Sequence, residues 1–191
     1  MSYAVAIVDQ IESDQLSLPT PCAGWDLGQL LAHMIGQNHG FASAARGEAY
    51  DPAAWADRPV TDAPGPAFAA SADEVVAAFA EEAATQRDWP FQVGTDRAIP
   101  VPGSRAMGFH FIDYVVHAWD VAVSIGVQPR FDADVLAAVL PLAEEVPLDG
   151  PSRSGPDAPF APAIDIKPDE GLLERVLAIL GRDPQWTPEA S

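Results

Sequence analysis

The stretch FHFIDYVVHAWDVA, residues 109–122, places His110, Asp113, His117 and Asp120 among side chains that are otherwise almost all apolar. On a helix, residues three and four apart share a face. Asp113 and His117 are therefore one turn apart, His110 lies one turn earlier on the same stripe, and Asp120 flanks it. An imidazole nitrogen and a carboxylate oxygen at this spacing can both reach one divalent cation, provided a third ligand arrives from another helix. The same stripe has a second reading, as the narrow solvent-facing edge of an amphipathic helix. The two readings differ in burial: ionisable groups that face inward must be paired or bound to a metal.

The chain has four histidines, so the third ligand has few candidates. His33 stands at the edge of the apolar face in LLAHMIG, where it suits either a ligand looking into a cleft or a boundary residue. His39 is rotated well away from it and reads as peripheral. His110 and Tyr114 are candidates to line a pocket or support a ligand, and both also suit exposed positions. Asp120 reads first as the polar edge of its helix, with orientation of a ligand as the alternative. Trp119 reads as core, and Trp25 as a staple at the start of a helix. Cys22 reads as a buried structural cysteine; a stabilised thiolate before a helix is the alternative.

The elements that carry these residues follow from periodicity and punctuation. Apolar spacing predicts a first helix over 3–16. Asp26 is a good N-cap for a second helix over 27–46, stopped at Gly47. Residues 49–71, rich in Pro, Ala, Asp and Gly, read as a long loop. Ser71 and Glu74 have the spacing of a capping box and predict a third helix over 71–87. A short hairpin fits near 91–102. Long helices are expected over 104–126 and 132–145, a short extended piece at 163–166, and a closing helix over 171–181. The sum is an all-α chain, read as one domain over 1–191: a bundle of four principal helices with extra short helices and room for one short hairpin.

Composition narrows the function. The formal charge is −18, from 28 acidic and 10 basic residues, and such a surface repels nucleic-acid backbones and anionic membranes. No apolar run approaches the roughly 20 residues of a bilayer span. The N-terminus has no basic region of the signal-peptide kind. One cysteine gives no internal disulfide and fits a reducing cytoplasm. Small molecules remain the expected partners, and a homodimer stays open because helical bundles of this size often form one.

Three segments carry a family resemblance. LPTPCAGWDLGQLLAHMIGQNHGFA (18–42), DYVVHAWDVA (113–122) and LAILGRDPQWTP (177–188) resemble, in order, motifs of the DinB-like, mycothiol-dependent maleylpyruvate isomerase N-terminal group and its actinobacterial metal-binding subgroup. The resemblance implies a DinB-like up-down-up-down four-helix bundle with a divalent metal held by His33, Asp113 and His117. Asp113 stands where the isomerase carries Glu and other DinB-like proteins carry His. Two histidines and one carboxylate leave an open coordination position, as catalytic zinc sites do. Zn²⁺ is the first choice, and Ni²⁺ or Fe²⁺ accepts the same ligands. The resemblance further implies a low-molecular-weight thiol of the mycothiol type and a transferase or isomerase reaction through a metal-bound thiolate. Metal-assisted hydrolysis, and a bundle that binds metal or a partner without catalysis, are the alternatives.

Overall fold

The computed structural model describes residues 1–61, 63–92, 98–150, 152–154, 158–165 and 169–188. In chain order the helices are α1 (Ser2–Val8), α2 (Leu27–Ala45), α3 (Pro52–Trp55), α4 (Pro64–Phe79), α5 (Gly103–Ser124), α6 (Ala133–Glu144) and α7 (Leu172–Ile179), with a 3₁₀ turn at Ser13–Ser17. Strands β1 (Asp88–Phe91) and β2 (Ile99–Pro102) form one antiparallel hairpin with Trp89 opposite Val101. Helices α1, α4, α2 and α5 make the up-down-up-down bundle, each packed on its neighbours, while α6 and α7 cover the outer side of α5.

Three apolar clusters hold these layers. Ile7, Leu30, Leu31, Phe68 and Val121 join the four bundle helices at one end. Phe41, Val75, Trp89 and Ala106 join α2, α4, the hairpin and the start of α5 at the other. Ile112, Val116, Val139, Val176 and Leu180 fasten α6 and α7 to α5. Helix α5 thus has apolar partners on both sides, and its polar residues must satisfy themselves within the protein.

Two expected helix boundaries move. The first helix stops at Val8, and the amides of Gln10 and Ile11 tighten onto the carbonyls of Ile7 and Val8. Glu12 and Gln15 then cap each other reciprocally and start the separate 3₁₀ turn. The third principal helix spans 64–79 rather than 71–87. Pro64 occupies its first turn, where a missing N–H costs nothing. Ser71 is consequently not a cap: it is buried in mid-helix and its hydroxyl donates to the Phe68 carbonyl. The supposed long loop therefore contains α3 and the start of α4. The extended piece near 163–166 forms no strand at 163–165, although the Ile164 amide donates to the Ala178 carbonyl; residue 166 lies outside the described residues. The hairpin occurs as expected, its connection at 93–97 lying outside the described residues.

A single amide ties three bundle helices together. Asn38 on α2 is fully buried; its Nδ2 donates to Ser71 Oγ on α4 and to Tyr114 Oη on α5, each at 2.9 Å. Its Oδ1 lies 3.0 Å from His110 Nε2, which must therefore donate. Burial pushes His110 down to about 4, so it is neutral at ordinary pH. Replacing Asn38 with Ala strands these partners and is expected to cost about 1–3 kcal/mol, read as a lowered urea midpoint. His110 adds a pH dependence of known sign. Between pH 6.5 and about 4 the unfolded chain holds a proton here that the folded chain does not, so stability is lost as pH falls through that window. Comparing wild type with His110→Gln at neutral and mildly acid pH should show the wild type steeper, by up to about 1.4 kcal/mol per pH unit.

Candidate metal centre

Asp26 fixes the start of α2: its carboxylate accepts from the Gln29 amide at 2.8 Å, and the Gln29 side chain accepts from the Asp26 amide at 2.9 Å. His33 follows two turns later and faces α5. There Asp113 and His117, one turn apart, point to the same place. His117 Nε2 lies 3.1 Å from Asp113 Oδ1, and the His33 and His117 rings sit edge to face with centroids 5.6 Å apart. One ligand atom from each of His33, Asp113 and His117 falls within 4.8 Å of the others. The stripe on α5 faces inward: His110, His117 and Asp120 are buried, and the Asp113 side chain keeps 31% exposure at the mouth of the cleft. The solvent-facing reading of the stripe is corrected accordingly, because α2 and the segments that carry Cys22 and Arg182 cover what one helix alone would leave to water.

Behind His117 lies a second layer, of which the sequence offered only Asp120, as the alternative to a polar edge. Asp120 is completely buried, and its Oδ2 accepts from His117 Nδ1 at 2.9 Å, the Cys22 thiol at 3.1 Å and Arg182 Nη2 at 3.3 Å. Arg182 Nη2 also reaches Cys22 Sγ at 3.1 Å. Asp120 is therefore not the polar edge of its helix; it is the buried partner that holds His117. Partly buried Cys22 belongs to the same cluster, beyond the purely structural role read for it. Arg182 arrives through a helix stop. Gly181, at φ 78°, lets its own amide donate to Ala178 and the Arg182 amide donate to Leu177, a Schellman cap that turns the chain back toward α5. The visible signals were the Gly-Arg after α7 and the Cys before α2, and only tertiary packing brings them to Asp120.

Around His33 the environment differs. Trp25 packs on its ring with centroids 4.8 Å apart, so the tryptophan shields a candidate ligand besides starting α2. Asp57 Oδ1 lies 3.6 Å from His33 Nδ1 and is 60% exposed. The segment after α3 carries it there by lying directly on α2. A methyl group at Gly36 would come 2.5 Å from the Ala56 carbonyl, and the Arg58 amide donates to Ala32 of α2 at 2.9 Å.

Electrostatics follow from this layout. Burial opposes charge on His117, but Asp113 and Asp120, bonded to its two nitrogens, outweigh it and raise its pKa well above the ordinary value. Burial likewise opposes charge on Asp113, yet His117 and then His33 hold its carboxyl well below the usual range. Asp120 is lowered too, with Arg182 overcoming burial. His33 is lowered by burial, with the charge of His117 adding to the effect. The donor set suits a divalent cation: a largely neutral imidazole, an ionised carboxylate, and a second imidazole whose Nδ1 is already engaged so that Nε2 faces the cleft. His110 and Tyr114 do not join it. They close on Asn38, with their rings stacked 4.7 Å apart. His39 pairs with Glu74 at 2.8 Å on the surface, and Trp119 is core.

A helical bundle with two histidines and a carboxylate converging between two of its helices is the class that fold and cleft define. The profile of the mycothiol maleylpyruvate isomerase N-terminal domain matches residues 2–122, and the chain belongs to that family. Two uncharacterized proteins of Mycobacterium tuberculosis, from strains CDC 1551 / Oshkosh and ATCC 25618 / H37Rv, are each 29% identical to it over 180 residues, 93% of this chain and 90% of theirs. Crystal structures of the mycothiol-dependent maleylpyruvate isomerase and of a mutant of it share the fold, with TM-scores of 0.54 and 0.56 at 17% and 18% identity. Those matches cover 74% of this chain and 62% of each isomerase chain. Among the described residues no helix is long and apolar enough to cross a membrane.

The second layer carries its own expectation. Arg182→Met leaves the Asp120 carboxylate buried without its cation, and should cost about 3–5 kcal/mol in urea unfolding. Arg182→Lys, which restores a charge without the planar fork, should recover part of that loss.

Proposed function

We propose that this protein holds one divalent cation at His33, Asp113 and His117 and uses it to activate a low-molecular-weight thiol toward a small electrophile. The observation that carries the reading is the convergence of these three side chains within 4.8 Å, with the far nitrogen of His117 bonded to the buried Asp120. A carboxylate behind a ligating histidine fixes its tautomer and raises its basicity. Zn²⁺ is the first expectation, and Ni²⁺ or Fe²⁺ suits the same donors. When bound, such a cation lowers the pKa of a thiol that meets it and so supplies a thiolate at neutral pH. The protein's own residues do the rest. His33 and His117 present ring nitrogens, Asp113 presents a carboxylate at the mouth, Asp120 keeps the proton on His117 Nδ1, and Trp25 shields His33 from water. Family membership and the mycothiol-dependent isomerases of the same fold support a thiol, with transfer or isomerisation as the reaction type.

Elemental analysis of untagged protein tests the reading. Wild type should hold about one equivalent of divalent metal, and His33→Ala, Asp113→Ala and His117→Ala should each lose most of it. Asp120→Asn, compared at a temperature where its melting curve shows it folded since Arg182 loses its buried counter-charge, should weaken metal affinity about 10–100-fold, because its effect on the cation runs through His117. A wild-type protein that stays empty when offered Zn²⁺, Ni²⁺ and Fe²⁺ would end the proposal. A loaded protein that turns over no electrophile with added thiol would leave a metal-binding bundle without catalysis.

A further inference from the structure

Helix α2 carries two buried glycines in its middle, Gly36 and Gly40. Glycine is a poor helix former, so two of them one turn apart need a reason. With Ala32 they make one smooth stripe, and the chain from Trp55 to Arg58 lies along it. A methyl group at Gly40 would run into the Trp55 ring, and one at Gly36 would come 2.5 Å from the Ala56 carbonyl and 3.2 Å from the Asp57 Cα. The Arg58 amide then donates to the Ala32 carbonyl at 2.9 Å, and the Arg58 guanidinium turns back to the Ala53 carbonyl at 2.9 Å. Residues 55–58 are thus pinned on α2 at both ends. His33, one turn before Gly36, lies beside them, and Asp57 Oδ1 stands 3.6 Å from its Nδ1.

We infer that Asp57, seated by these glycines, is a positioning residue for His33: it holds the ring proton on Nδ1 and so turns the lone pair of Nε2 to the cleft. The cation that meets Nε2 rests on the metal-binding reading above. Burial lowers His33, so its ring is neutral and carries one proton. In a neutral imidazole the proton goes to the nitrogen that faces an acceptor, and the other nitrogen is left to bind metal. Asp57 is the acceptor at Nδ1, while Asp113 on the cleft side is paired with His117 Nε2 at 3.1 Å. The two imidazoles are then held alike, each by a carboxylate at Nδ1, but with different strength. His117 donates to the fully buried Asp120 at 2.9 Å. The His33 contact is longer than a hydrogen bond and Asp57 is 60% exposed, so it is a screened attraction. One ring is fixed from within the core, and the other from a surface segment docked on α2.

Two readouts on the full chain test this. Long-range proton–nitrogen NMR correlations of the metal-free protein at mildly alkaline pH report the ring tautomer directly. Wild type should show His33 protonated at Nδ1. Asp57→Ala and Gly36→Ala should move it toward the mixture that an imidazole shows in water, and Asp57→Asn, whose amide oxygen still accepts, should stay near wild type. Zinc affinity, measured by competition with a chromophoric chelator, should fall about tenfold in Asp57→Ala and less in Asp57→Asn, the small end of such effects because this carboxylate is exposed. A purely structural role for Asp57 would move the thermal midpoint and neither of these readouts. The inference is overturned by an Nε2-protonated His33 in wild type, by a tautomer that Asp57→Ala or Gly36→Ala leaves unchanged, or by undiminished zinc affinity in Asp57→Ala. If wild type binds no zinc, the metal reading fails, and the tautomer alone decides whether Asp57 positions His33.

Discussion

The carboxylate of Asp120 is the constraint on which the rest of the site depends. A fully buried, ionised carboxylate costs several kcal/mol to desolvate unless hydrogen bonds and an opposite charge replace water. Here the replacements come from three separate parts of the chain: Cys22 before α2, His117 one turn earlier on α5, and Arg182 after α7. Because Asp120 takes the Nδ1 side of His117, the ring has one orientation and presents Nε2 to Asp113. The same demand for partners fastens the segment after α7 and the segment before α2 onto this edge of α5.

Helix α5 carries two polar centres of different character. The one around Asn38 is neutral and closed: both amide hydrogens and the amide oxygen have partners, and His110 is kept uncharged by burial. Such a network specifies how α2, α4 and α5 pack. The one around His117 is charged and opens to solvent through Asp113. Two carboxylates compete for one imidazole there, an arrangement that a cation at Nε2 relieves. Closed polar networks hold helices in register, whereas an open charged one leaves capacity for a ligand.

Much of the fold was legible because its signals are local. Asp26 caps α2 as the sequence suggests, and the apolar run around Trp119 makes α5 one long buried helix. Periodicity misplaced α4, since an Ala-rich segment is equally helical one or two turns either way and the proline start at 64 was read as loop. Within the site, His33, Asp113 and His117 could be paired on spacing and family motifs. Asp120 was read first as a polar edge and only second as a group that orients a ligand, because a helix considered alone cannot reveal that Arg182 and Cys22 lie over that edge. Asp57 and Arg182 were out of reach for the same reason: each is delivered by a backbone contact, one at Gly36 and one at the Gly181 turn, that exists only in the folded chain.

Arg182 has a further consequence. The family match ends at residue 122, two residues after Asp120, yet the positive charge that keeps Asp120 ionised comes from sixty residues beyond. A bundle cut at that boundary would retain the three converging ligands while leaving the carboxylate behind His117 without its guanidinium. Asp120 would then meet its desolvation cost by taking up a proton or by drawing on His117 alone. Either course weakens the hold on Nε2. The α6–α7 layer is therefore part of the site's electrostatics as well as a cover for α5. Changes in that layer should alter ligand affinity even though none of its residues faces the cleft.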